Sequence, residues 1–334
     1  MAPGMRIWFR TRYRHPESRK QGRQKGDTMR ILFVVAVSAV AFLAVASGQA
    51  SAGVIMYGGL GGHGVGATPP SQDDGSLVII DQNTAATTVV GHPAGVARLT
   101  GIAFDLSGDL FGSTLGAIVF PPPPGPGFSD LIEINPDNGS LIKDFGPITA
   151  SGTKLAIADL AVQPGTGVLY GISGPQAAGP LAAGLLYTIN TSTGIATLVG
   201  NTGHSFGSIA FAPDGTLYMT AADFAGDGPM NPALLTLDPT NAKTLTSIST
   251  NNDFFGALGI RPTDGVIFGG TGDTGDIFTI DPATGGETPV GNTELRFAGD
   301  LDFRATPVPE PVSLGLVSAG LALGLRWRTK RRLN

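Results

Sequence analysis

Ser208–Tyr218 reads SIAFAPDGTLY, and this stretch decides the fold. Its first half is a short run of apolar and small residues of the kind a strand uses. Pro213-Asp214-Gly215 then stops it: proline presets one turn dihedral, aspartate can bond the turn's own backbone, and glycine accepts a positive φ. Leu217 and Tyr218 restart a strand. The same phrase stands at Gly101–Phe111 (GIAFDLSGDLF), Asp159–Tyr170 (DLAVQPGTGVLY) and Ala257–Phe268 (ALGIRPTDGVIF). A fifth copy opens at Gly299 (GDLDF) and breaks off.

A second phrase alternates with the first. It appears as Leu77–Thr84 (LVIIDQNT), Leu131–Gly139 (LIEINPDNG), Leu186–Gly194 (LYTINTSTG), Leu235–Asn241 (LTLDPTN) and Ile277–Gly285 (IFTIDPATG), with successive starts 54, 55, 49 and 42 residues apart. Asp238-Pro239 and Asp281-Pro282 make its turns, where the aspartate can cap. Two phrases supply four short antiparallel strands per repeat, the signature of a propeller blade. The expected fold is all-β, a single β-propeller of five four-stranded blades, with six as the alternative count. A β-sandwich is the alternative architecture, and it explains neither the repeated phrase nor its period.

The fifth repeat lacks a closing strand. Gly53–Gly58 (GVIMYG) is an orphan strand resembling the missing piece, VLYGIS at Val168–Ser173 or VIFGGT at Val266–Thr271. It is predicted to pair beside Arg296–Phe303, closing the ring and leaving no open edge. Gly101, Gly207, Gly256 and Gly299 fall where strands should crowd the central axis. Pro121–Gly127 (PPPPGPG) reads as a stiff spacer after the first blade.

Composition agrees with this reading. The 334 residues include 50 glycines and 25 prolines, yet 42% are hydrophobic, which suits many short strands joined by tight turns. The absence of cysteine excludes disulfides, thiolate catalysis and cysteine-based metal centres. The formal charge of −5 hides a segregation. Residues 53–307 hold 7 Lys and Arg against 23 Asp and Glu, a net of −16. Such a surface repels nucleic acid, so no nucleic-acid partner is expected.

The basic residues collect at the two ends. Met29-Arg30, the apolar run Ile31–Val45 and the small residues Ala50-Ser51-Ala52 form a signal peptide over 29–52, with cleavage predicted before Gly53. An uncleaved membrane anchor is the alternative. Residues 1–28 are basic and aperiodic; the expected start is Met29, and a long leader from Met1 is the other reading. At the far end, 307–334, stand Val308-Pro309-Glu310-Pro311, the apolar run Val312–Leu325, and a basic cluster with Arg326, Arg328, Arg331 and Arg332. Fourteen helical residues span about 21 Å, a short transmembrane helix. The cluster would keep its end in the cytoplasm and leave the preceding domain outside.

These three parts in this order resemble the PEP-CTERM sorting signal of bacterial surface proteins, over about the last 27 residues. The resemblance implies processing near Pro309–Pro311 by an exosortase, after signal peptidase has acted at the front. It implies a destination at the cell surface, the outer membrane or the exopolysaccharide matrix, with membrane contact only through the C-terminal helix before processing.

Chemistry-bearing residues are sparse in the repeat region. His63, His92 and His204 each lie beside glycine or proline and show no metal-ligand spacing. Asp223, Asp227, Asp273 and Asp276 place carboxylates three or four apart in glycine-rich turns, as calcium loops can. Solvated acidic loops are the default reading, given the net charge of −16 and since the full calcium-loop spacing with its distal glutamate is missing. Asp159 and Asp300 open their phrases where Gly101, Ser208 and Ala257 stand in the others. They read as buried hydrogen-bonding caps, with a channel-facing pair as the alternative. No catalytic triad or phosphate-binding loop is present, and Gly58–Gly66 opens no helix.

The expected function is therefore a surface or matrix binding module, reaching exopolysaccharide through calcium bridges. A metal-dependent propeller hydrolase or lyase is one alternative; it needs a metal cluster in the channel, and the domain has only Glu133, Glu287 and Glu294. A structural matrix component is another. Convergent carboxylates in the channel would favour the enzyme.

Overall fold

Each apolar run becomes a strand because a turn that its own side chain stabilises cuts it off. The computed structural model describes residues 53–61, 73–115, 127–174, 183–204, 207–222, 232–250, 255–272, 274–295 and 299–305. In chain order the strands are β1 (Val54–Gly59), β2 (Leu77–Ile80), β3 (Thr87–Gly91), β4 (Leu99–Phe104), β5 (Leu110–Thr114), β6 (Asp130–Ile134) and β7 (Leu141–Pro147). A small hairpin, β8 (Thr149–Ala150) and β9 (Thr153–Lys154), precedes β10 (Ile157–Val162), β11 (Leu169–Ser173), β12 (Leu185–Ile189) and β13 (Ala196–Asn201). Then come β14 (Ile209–Phe211), β15 (Leu217–Ala222), β16 (Pro232–Leu237) and β17 (Thr244–Ser249). The last five are β18 (Phe255–Ile260), β19 (Ile267–Thr271), β20 (Asp276–Ile280), β21 (Glu287–Asn292) and β22 (Asp300–Ala305).

They form five antiparallel four-stranded sheets: β22-β1-β2-β3, β4-β5-β6-β7, β10-β11-β12-β13, β14-β15-β16-β17 and β18-β19-β20-β21. Each of five buried apolar clusters draws residues from two adjacent sheets, and together they join first to second and onward until fifth meets first. The sheets are therefore the blades of a closed five-bladed propeller, with β4, β10, β14, β18 and β22 innermost.

The orphan strand closes the ring as expected, in a slightly shifted register. β1 pairs β22 from Val54↔Ala305 to Gly59↔Asp300. The blade frame differs from the order in which the phrases occur. The phrase exemplified by Ser208–Tyr218 forms the inner two strands of a blade, and the phrase that follows it forms the outer two. The stretch beginning at Pro121 therefore connects β5 to β6 inside the second blade and is no spacer between blades; residues 121–126 lie outside the described residues.

The outer turns share one chemistry. At Asp81, Asn135, Asn190, Asp238 and Asp281 a side-chain Oδ1 accepts the backbone N–H two residues on, at 2.8–2.9 Å. Four residues on, Ala85, Gly139, Gly194, Ala242 and Gly285 take φ of 61–71° and donate back to the same residue's carbonyl. Each blade also offers the next an aromatic from its second strand. Tyr57, Tyr170 and Phe268 meet Phe104, Phe211 and Phe303 with ring centroids 5.2, 5.2 and 5.6 Å apart. Such pairs add about 0.5–1.5 kcal/mol each beyond area burial.

Candidate functional site

Alternate residues of a strand face the same way, so the innermost strands present two layers to the axis. One layer is Gly101, Asp159, Ser208, Ala257 and Asp300; the next is Ala103, Ala161, Ala210, Gly259 and Asp302. Small residues are required there. A Cβ on Gly101 would lie 2.7 Å from the Leu160 nitrogen, and one on Gly259 would lie 2.8 Å from Leu301 Cβ. Gly207 and Gly299 are as tightly held, by the carbonyls of Thr220 and Gly59, whereas Gly256 has open space beside it.

Three carboxyl groups stand among these small residues. Asp159 and Asp300 are 1% and 0% exposed. Asp159 Oδ2 accepts the Ser208 hydroxyl and, at 2.6 Å, the Ile209 N–H of the next blade. Asp300 Oδ2 accepts the Ile102 N–H at 2.9 Å, and Asp302 Oδ2 accepts the Phe104 N–H at 2.6 Å. Inner-edge N–H groups have no ladder partner, so these carboxyls cap them and tie blade to blade. The capping expected of Asp159 and Asp300 is thus observed, and the two are also a channel-facing pair. The two carboxyls act on each other, an interaction that lowers Asp159 and raises Asp300.

Burial sets the protonation of all three. It pushes Asp159 up to about 6, against bonds from Asp300, Ser208, Ile209 and Leu160. It raises Asp300 well above the ordinary carboxylate range, with the Asp159 charge adding to the effect. It pushes Asp302 up to about 7, against bonds from Phe104 and Phe303.

Above Asp302 the channel widens into a cavity of about 450 Å³ on the short-turn face. Its walls include Phe104, Phe211, Ile260 and Phe303, and its rim includes Leu106, Asp105 and Arg304. Leu106 is 63% exposed. The Arg304 guanidinium donates to Asp137 Oδ1 at 2.6 Å. Asp302 was not singled out by sequence reading. Its signal was the third place of the inner phrase, where the other four repeats carry Ala103, Ala161, Ala210 and Gly259.

The sequence-level candidates lie elsewhere. Asp276 opens β20 on the opposite face, where its Oδ1 accepts Asn292 Nδ2 at 2.7 Å and its Oδ2 accepts Thr274 Oγ1 at 2.5 Å. Asp223, Asp227 and Asp273 lie outside the described residues. So do Ala50, Ala52, Pro309, Glu310, Pro311, Arg326, Arg328, Arg331 and Arg332, and with them the C-terminal helix. His92 Nε2 lies 2.9 Å from the Asp74 carbonyl oxygen. Glu133, Glu287 and Glu294 stand on or beyond outer strands, away from the axis. Carboxylates do converge in the channel, yet among the described residues no three His, Cys, Asp or Glu side chains are placed to hold a metal ion.

No protein-family model and no curated protein matches the chain. Among solved structures it is similar to a chain of a nidogen/laminin complex, with TM-score 0.47, 12% identity, and coverage of 75% of this chain and 98% of that one. It is similar to a PQQ-bound aldose sugar dehydrogenase from Streptomyces coelicolor, with TM-score 0.46, 14% identity, and coverage of 78% and 90%. A glutaminyl cyclase from Myxococcus xanthus gives TM-score 0.38, 16% identity, and coverage of 61% and 69%.

Proposed function

We propose that the protein is an exported propeller acting as a binding module at the cell surface or in an exopolysaccharide matrix. The observation that carries the binding reading is the axial cavity of about 450 Å³, apolar in its walls and bearing one carboxyl on its floor. That is the size and lining of a small-ligand site. Delivery rests on the sequence at the two ends: Ala50 and Ala52 for signal peptidase, and Pro309-Glu310-Pro311 with Arg326, Arg328, Arg331 and Arg332 for exosortase. Calcium at the acidic stretches with Asp223, Asp227, Asp273 and Asp276 would serve as a bridge to acidic polysaccharide.

Fractionation of producing cells tests delivery, with Pro309-Glu310-Pro311 intact or replaced by alanine. The intact chain is expected at the surface or in the matrix and the variant in the membrane fraction; equal distributions would sink the sorting claim. Co-sedimentation with exopolysaccharide, with and without calcium, tests the partner. A chain that stays in the supernatant under both conditions rules that partner out.

A second reading is enzymatic, as a hydrolase or lyase. It is favoured by one observation: Asp302 sits on a cavity floor with its carboxyl pushed up to about 7, where a general acid–base group works best near neutral pH.

A further inference from the structure

We propose that the axial cavity binds a small organic cation, a protonated amine on a compact carbon framework. The inference deepens the reading of the cavity as the ligand site and rests on it. Of the charged side chains that line the cavity, Asp105 and Asp302 are acidic and Arg304 is basic. Asp302 is on the floor, and the Asp159–Asp300 pair lies one layer deeper. Asp105 is at the rim, its Oδ1 already accepting the Ser107 and Asp109 N–H groups. Among the lining residues Arg304 is the one cation, and it is engaged with Asp137 at 2.6 Å. β14 and β18 contribute Ala210, Phe211, Gly259 and Ile260, which carry no charge.

Asp302 also has bonding capacity to spare. Backbone N–H groups of Phe104 and Phe303 bond it, while a carboxylate offers about four acceptor sites. The aromatic walls suit the same ligand. Phe104, Phe211 and Phe303 line the cavity with the small exposed parts of largely buried rings, which a carbon framework can touch. Apolar walls accept the carbon framework, and the floor accepts the charge.

Calorimetric titration of the full chain with three probes of one shape tests this: cyclohexylammonium, cyclohexanol and cyclohexanecarboxylate. At pH 8 the ammonium is expected to bind at least tenfold more tightly than the alcohol, and the carboxylate to give no signal. Between pH 8 and pH 6 the ammonium's affinity is expected to fall severalfold, because Asp302 takes up a proton while the amine keeps its charge. Asp302→Asn should remove both the preference and the pH dependence. If that variant does not fold, the wild-type pH series with charged and neutral probes decides alone. Equal affinity for ammonium and alcohol, no binding of the ammonium at any pH, or a pH-independent preference would overturn the proposal. Failure of delivery or of polysaccharide binding with the ammonium preference intact would sink the wider reading and leave this one standing.

Discussion

The first and third blades use the same four-strand plan and differ in how the chain supplies it. β10, β11, β12 and β13 come from one continuous stretch, and their inner strand carries one buried acid, Asp159. The first blade is assembled from both ends of the propeller, β22 from the last repeat and β1, β2 and β3 from the first. Its inner strand carries two acids, Asp300 and Asp302, and both reach across to N–H groups of β4. The blade whose strands have the greatest sequence separation thus caps two backbone N–H groups of its neighbour through inner-strand acids, where the third blade caps one. Loop closure between distant segments costs chain entropy, and the extra cap acts where that cost falls.

The largest effect expected from breaking this comparison is loss of the composite blade. Deleting Val54–Gly59 leaves β22 and β2 without their partner. Cooperative thermal unfolding should vanish in circular dichroism, and an unchanged melting curve would show that β1 does not close the ring.

Next comes pH. Asp159, Asp300 and Asp302 all have folded pKa values above the ordinary 3.8. The folded state therefore binds more protons than the unfolded chain between about pH 4 and pH 7, and stability falls as pH rises through that window. At about 1.4 kcal/mol per unit of pKa, the loss should be on the order of several kcal/mol. Urea midpoints at pH 5 and pH 8 measure it. Asp300→Asn keeps a permanent donor to Asp159 and should flatten the profile; an equally steep profile in that variant would remove the pair as its source.

A paired substitution sharpens the comparison at the axis. Gly101→Ala drives a methyl against the Leu160 backbone and should cost about 1–3 kcal/mol. Gly256→Ala enters open space and should shift stability by less than about 0.5 kcal/mol. Similar losses at both sites would argue against crowding. A small effect is also expected at the ion pair between the first and second blades. Arg304 and Asp137 are 31% and 74% exposed, and Arg304→Gln should cost under about 1 kcal/mol.

Much of the fold was legible because a propeller repeats its local chemistry. Asp238 and Asp281 announce their turns by type, and Tyr170, Tyr218 and Phe268 recur at one place in the phrase. The orphan GVIMYG was legible because its relatives VLYGIS and VIFGGT show what it replaces. The site was harder to read. Asp300 stood out beside Asp159 at the opening of its phrase, whereas Asp302, two residues further into the incomplete repeat, did not. Their convergence with Asp159 depends on strands 141 and 143 residues apart in the chain meeting at one axis. The acidic pairs along the chain, such as Asp223 and Asp227, drew attention by proximity in sequence, which says little about proximity across a ring.

The register of the closing pair has a mechanical meaning. Val54 lies beside Ala305, and Ala305 is on the rim of the cavity, so the first and last described strands begin and end side by side on the short-turn face. A load applied through the chain at Ala305 and resisted on the opposite face would run along the strand axis. The six pairs from Val54↔Ala305 to Gly59↔Asp300 would then bear it in shear, together. A load that drew Val54 and Ala305 apart would instead part those pairs one after another, like a zip. As a link that passes tension from one face to the other the ring is stiff, and it opens most easily when its own two ends are pulled.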